Sequence, residues 1–155
     1  MKRVQNIVVG TDFSDVATHA LDEAVDLAEQ LGAKVTLVHA FEIPIYGFPD
    51  GVIVASSDVA AGLQRSGQAG LQAAIAARKD RAVVIVPSLR NGPPWEEVNN
   101  VAADVHADLI VVGTHGRRGL ARALLGSVAE RILRTATRPV LVVHRGSEKA
   151  PEGAR

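Results

Sequence analysis

Five short apolar runs, Ile7-Val-Val-Gly10, Val35-Thr-Leu-Val-His39, Ala82-Val-Val-Ile-Val86, Leu109-Ile-Val-Val112 and Val140-Leu-Val-Val143, are separated by segments long enough to form helices. Their hydrophobicity is nearly continuous rather than alternating, the pattern of strands covered on both faces. This points to an α/β chain with a parallel five-stranded sheet and helices on both sides. A length of 155 residues suits one domain with its own core, expected over residues 1–146, followed by a polar tail at 147–155.

Between the first two runs, Ala17, Ala20, Leu21, Ala24, Ala28 and Leu31 recur at helical spacing. Ser14 is placed to cap this helix and Gly32 to end it. Residues 41–58 contain Pro44, Gly47, Pro49 and Gly51 and read as an irregular excursion. A second helix is expected around Val59 to Lys79, although Gly62, Gly67 and Gly70 each cost about 1 kcal/mol against alanine in a helix interior. A third is expected from Pro94 to about His106, with Pro94 in its first turn, and a fourth over Val128 to Arg134.

Lysine plus arginine equals aspartate plus glutamate at 17 each, so no global field favours nucleic acid or an anionic membrane, and neither is expected as a partner. Cysteine is absent, which removes disulfide and thiol chemistry and is compatible with a reducing compartment. The first apolar run is too short for a signal-peptide core. No stretch approaches the roughly 20 residues of a membrane span, and a soluble, cytoplasmic protein is expected.

In a doubly wound sheet, ligands gather outside the carboxyl ends of the strands. Gly10-Thr-Asp-Phe-Ser14, His39-Ala40 and Gly113-Thr-His-Gly116 would share that rim. The last of these opens a glycine- and arginine-rich stretch that runs to Gly126-Ser127 and a helix. Strand, glycine loop and helix N-terminus together can hold an anion; a plain surface loop is the other reading. The stretch does not match Gly-x-Gly-x-x-Gly at Gly113 and contains no Gly-Lys-Ser/Thr, so neither the dinucleotide fingerprint nor the Walker A loop applies. Its spacing is Gly113-x2-Gly116-x9-Gly126-Ser127.

With that spacing, and from Asn6-Ile-Val-Val-Gly-Thr-Asp12 through Arg138-Pro-Val-Leu-Val-Val143, the sequence resembles the universal stress protein family, specifically its ATP-binding branch. The resemblance implies a Rossmann-like sheet of the adenine nucleotide alpha hydrolase kind, strand order 3-2-1-4-5, with ATP between the first and fourth strands. It implies that Asp12 contacts the ribose or adenine region, Ala40 offers backbone atoms to the adenine, and Val112 and Gly113 line the sugar side. Gly116, Gly126, Ser127 and Val128 match the phosphate-binding positions. ADP or AMP could replace ATP, and Mg²⁺ could accompany the nucleotide.

Plainer readings stand beside these. Asp12 could cap the first helix and Ser127 the fourth. Arg117, Arg118 and Arg122 either embrace phosphate or are solvated, and His115 either bonds phosphate or faces solvent. Trp95 reads as packing. The five histidines are read as unpaired with any acid one helical turn away, and with no cysteine partners a zinc site is not expected.

Two functions compete. One is a stress-response binding module, a regulatory dimer responding to ATP and acting on an unidentified protein partner. The other is a slow ATP hydrolase or nucleotidyl-transfer enzyme in the same pocket. Phosphoryl transfer usually needs metal carboxylates and an oriented nucleophile, and Asp12 is the well-placed carboxylate here. Related hydrolases resemble Ser-Gly-Gly-x-Asp-Ser where this chain reads Val9-Gly-Thr-Asp-Phe-Ser14, so a binding protein with at most weak ATPase activity is expected. By the family's strand order the fifth strand is a sheet edge. It is apolar and uncharged from Pro139 to Val143, and a homodimer through it is expected.

Overall fold

The computed structural model describes residues 3–115 and 125–145. Along the chain the elements are β1 (Asn6–Gly10), α1 (Asp15–Leu31), β2 (Lys34–Phe41), β3 (Ile45–Phe48), β4 (Gly51–Val54), α2 (Ser57–Ala76), β5 (Ile85–Asn91), α3 (Pro94–Asp104), β6 (Leu109–Gly113), α4 (Ser127–Thr135) and β7 (Val140–Val143). Five of the strands form one parallel sheet in the order β5-β2-β1-β6-β7. Counting those five alone, the order is third, second, first, fourth, fifth, as the resemblance implied.

The continuous apolar runs follow from burial on both sides. Ile7 and Val9 of the central strand join Val35, Leu37, Val111 and the inner faces of α1 and α2 in one cluster. Val8, Val38, Ile110 and Val112 point to the opposite face and pack with α3 and α4. Successive strand side chains alternate between faces, so each face needs its own apolar set.

Three expectations change. The third sheet strand is not Ala82–Val86 but Ile85–Asn91. Arg81 binds Asp26 and Glu29, and the Ala82 N–H donates to Glu29 Oε1 at 2.9 Å, so the start of the apolar run is tied to α1 before pairing begins. The guanidinium beside Glu29 holds its carboxyl below the usual range. Pro87 inside the strand is tolerated because β5 is an edge. Residues 41–58 are not wholly irregular: β3 and β4 pair as an antiparallel hairpin. The third helix stops at Asp104, short of His106, which takes a left-handed φ of 51°. Trp95 packs as expected, against the α3–α4 cluster with the Arg131 guanidinium 5.3 Å from its ring centre.

Helix α2 begins slightly before Val59 and ends before Lys79; the Ser56 hydroxyl accepts from the Val59 N–H. Two of its glycines allow close approach. A Cβ on Gly70 would lie 2.5 Å from the Phe13 ring, and one on Gly67 would lie 2.7 Å from Leu89 and 3.0 Å from His39; at Gly62 it would meet nothing within 4 Å. Gly62→Ala should therefore stabilise the protein by about 1 kcal/mol. At Gly70 the same gain is offset by overpacking of about 1–3 kcal/mol, so Gly70→Ala should be net destabilising. Urea denaturation of both variants checks this, and equal gains would refute the close approach of Phe13. Among the described residues no helix is long and apolar enough to cross a membrane.

Candidate functional site

The turn after β1 is built by its own side chains. Thr11 N–H donates to Val38 O at 2.9 Å, extending the parallel pairing past Gly10. Thr11 Oγ1 then accepts from Phe13 N–H at 3.0 Å, Asp12 Oδ1 from Ser14 N–H at 3.0 Å, and Ser14 Oγ from Ala17 N–H at 3.2 Å. The cap of α1 is thus Ser14, as expected, while Asp12 forms the preceding Asx turn instead of capping. Phe13 is left with a φ of 62°, uncommon for a bulky residue. Its ring packs against His39 at a tilt of 33°, centroids 4.4 Å apart, and His39 Nδ1 lies 2.9 Å from Thr11 O.

Across the rim, β6 ends at Gly113, where a Cβ would stand 2.7 Å from Val16 Cγ1 and 3.2 Å from the Val16 carbonyl. Glycine here lets the first turn of α1 approach the strand. Thr114, buried, follows: its N–H donates to Val143 O at 3.0 Å and its carbonyl accepts from the Gly126 N–H at 2.6 Å. The residues on either side of the glycine-rich stretch are thereby held together. Thr114 Oγ1 lies 2.8 Å from His115 Nδ1. His115 is half-buried, and its Nε2 is shielded and has no hydrogen-bond partner among the described residues, contrary to the solvent-facing reading.

Helix α4 starts differently from α1 and α2. Its cap is Gly126, not Ser127, which is the first helical residue, and no side chain caps it. Among the described residues no side chain caps the first-turn N–H groups of Ser127, Val128 and Ala129, and the positive end of the helix dipole lies at that point. The φ of −63° and ψ of 151° at Gly126 are open to any residue, so the backbone does not itself require glycine.

These elements enclose a cleft of about 350 Å³ lined by Asp12, Ala40, Val112, Gly113, Gly126, Ser127 and Val128. Gly116, Arg117, Arg118 and Arg122 lie outside the described residues. Sequence reasoning placed Thr114 on the rim within Gly113-Thr-His-Gly116 but did not name the apolar wall of Val38, Val98 and Ile132. The signal for the wall was present as helix and strand periodicity, but periodicity marks core positions without saying which border a cleft. His19 and Glu23 form an i,i+4 pair at 3.9 Å, which corrects the reading of unpaired histidines. No group of three metal-ligating side chains forms among the described residues.

Residues 3–144 match the universal stress protein family. The chain belongs to this family. A relative, universal stress protein MJ0531 of Methanocaldococcus jannaschii, is 37% identical over 141 residues, covering 90% of this chain and 81% of its own. A universal stress protein solved in complex with cAMP superposes with a TM-score of 0.69 at 32% identity, covering 94% of this chain and 100% of its own. The structure of MJ0577, from the same archaeon, shares the fold with a TM-score of 0.78 at 23% identity, covering 95% and 100%. In this universal stress protein the cleft opens between β1 and β6, where the order of the parallel sheet reverses, the position at which open α/β sheets bind ligands.

Proposed function

We propose that this universal stress protein binds an adenine nucleotide, ATP in the first instance, between β1 and β6 and acts in the cytoplasm as a nucleotide-dependent regulatory dimer. The observation that carries this reading is the uncapped start of α4 at Gly126-Ser127, facing an apolar wall across one cleft. Anionic groups suit the first, and a purine ring suits the second. The structural relative in complex with cAMP supports the adenine assignment. Asp12, fixed by its Asx turn, would meet the ribose, and the Ala40 backbone the adenine. Val112 and Gly113 would flank the sugar, and Gly126, Ser127 and Val128, with Gly116, would hold the phosphates. Any Mg²⁺ would be held through the phosphate oxygens.

Binding rather than efficient turnover is favoured, because Asp12 is the carboxylate among the lining residues and its Oδ1 already accepts from Ser14 N–H. Hydrolysis, if present, should be slow. At a hundredfold excess over its dissociation constant, a ligand bound only by the folded state adds about 2.7 kcal/mol. At roughly 2–4 °C per kcal/mol for a chain of this size, ATP with Mg²⁺ should raise the melting temperature by several degrees. An unchanged melting curve at millimolar ATP would contradict the reading.

The dimer would form through β7, an edge of the sheet with Leu141 40% exposed. Pro139 O accepts from Ile110 N–H and Val143 O from Thr114 N–H. Odd-numbered residues therefore face β6, and the backbone groups of Val140 and Val142 face outward, available to a second β7 about a two-fold axis. A cleft of about 460 Å³ beside Leu141, bordered by His19, Glu23 and Leu27 of α1, would receive the partner's side chains.

A further inference from the structure

Ala40 lines the cleft at the end of β2, and its peptide edge is open. Along β2 the backbone groups of even-numbered residues face β1 and those of odd-numbered residues face β5. Lys34 N–H donates to Gln5 O and Val38 O accepts from Thr11 N–H, whereas Val35 N–H donates to Val84 O and Phe41 O accepts from Gly92 N–H. The N–H and C=O of Ala40 therefore face the β1 side, one step beyond the last rung. In a parallel ladder whose Thr11 N–H bonds Val38 O, the next rung runs from Ala40 N–H to Thr11 O. Among the described residues that rung is not made.

Thr11 O is engaged by a side chain instead. His39 Nδ1 lies 2.9 Å from it, and because a carbonyl oxygen only accepts, Nδ1 carries the hydrogen and donates. Two neighbours set the imidazole there. The Phe13 ring packs against it, and Gly67 of α2 leaves it room, since a Cβ at that position would stand 3.0 Å from His39 Cδ2. We infer that His39 is a positioning residue for base recognition: by holding the Thr11 carbonyl out of the ladder, it keeps the Ala40 N–H and C=O open to the edge of a purine. This rests on the adenine-nucleotide reading of the cleft. A neighbouring N–H and C=O match adenine, whose N1 accepts beside an N6 amino group that donates. Guanine held in the same orientation sets its N1–H against the N–H and its O6 against the C=O, so like groups meet and each goes unsatisfied. The edge thus selects adenine over guanine. Without a donor at position 39, the Thr11 carbonyl would regain a partner by pairing with Ala40 N–H, and the edge would close.

Titration of ATP and GTP against the full unmodified chain, His39→Leu and His39→Asn tests this. Leucine cannot donate, whereas the asparagine amide places a donor near the position of Nδ1. The unmodified chain and His39→Asn should bind ATP more tightly than GTP by about tenfold or more, the worth of two neutral hydrogen bonds. His39→Leu should lose about tenfold in ATP affinity, with little change for GTP, and so lose the preference. An ATP affinity unchanged in His39→Leu overturns the inference and leaves the nucleotide reading standing. An equal loss in His39→Asn does the same, because it marks a packing role. If the unmodified chain binds neither nucleotide, the reading of the cleft falls and the inference falls with it. Should His39→Leu fail to fold, amide hydrogen exchange of the unmodified chain gives a second measurement. Ala40 N–H should exchange faster than its neighbours in β2 without nucleotide and slow when ATP is added. An Ala40 amide already protected in the nucleotide-free chain overturns the inference.

Discussion

Gly126→Val should abolish the ATP-induced rise in melting temperature while leaving the nucleotide-free protein folded. The backbone at this position has dihedrals that valine adopts readily, so the substitution does not strain the backbone. Its side chain, however, would stand at the start of α4, in the space that the proposed phosphates would need to reach the N–H groups of Ser127 and Val128. The expected outcome is loss of the whole several-degree shift, since each of those donors acts only when the anion can approach. Gly113→Val would be a poor substitute, because a Cβ there meets the Val16 backbone and a fold defect would obscure a binding defect. Differential scanning fluorimetry with and without millimolar ATP distinguishes the two effects. A Gly126→Val protein that keeps its ATP shift would put the phosphates elsewhere.

Val142→Pro should convert the proposed β7-linked dimer to a species of half the mass. Proline removes the N–H that faces outward from the edge and spares the inward-facing groups at Leu141 and Val143 that bond β6. Its effect on the monomer should therefore be small beside its effect on pairing. Sedimentation velocity should show the change as dimer to monomer. A dimer that survives Val142→Pro would show that β7 is not the contact.

The sheet was legible because its signal is redundant: each central strand presents apolar side chains to both faces, so runs such as Ile7-Val-Val and Leu109-Ile-Val-Val stand out from the helices between them. Edge strand β5 was displaced in the reading because Pro87, Ser88 and Arg90 look like loop chemistry, and a strand paired on one side alone tolerates them. The hairpin was hidden for a related reason. Pro44 and Pro49 flank β3, and its apolar side chains cover no core of their own chain. Glycine conveyed two different things. At Gly67, Gly70 and Gly113 it permits close packing that depends on distant residues, which no local pattern reveals. At Gly126 neither dihedral angle nor capping demands it, and the spacing from Gly113 was the legible clue. Asp12 and His115 were placed at the rim by their position after strands, but the Asx turn of one and the shielded Nε2 of the other depend on contacts made only in the folded chain.

Isothermal titration calorimetry of the unmodified, nucleotide-stripped protein with ATP and Mg²⁺ tests the central claim most directly. The account predicts saturable binding of one ATP per chain, displaced by cAMP or AMP and absent in Gly126→Val. No heat of binding up to millimolar ATP, or equal binding by Gly126→Val, would contradict it.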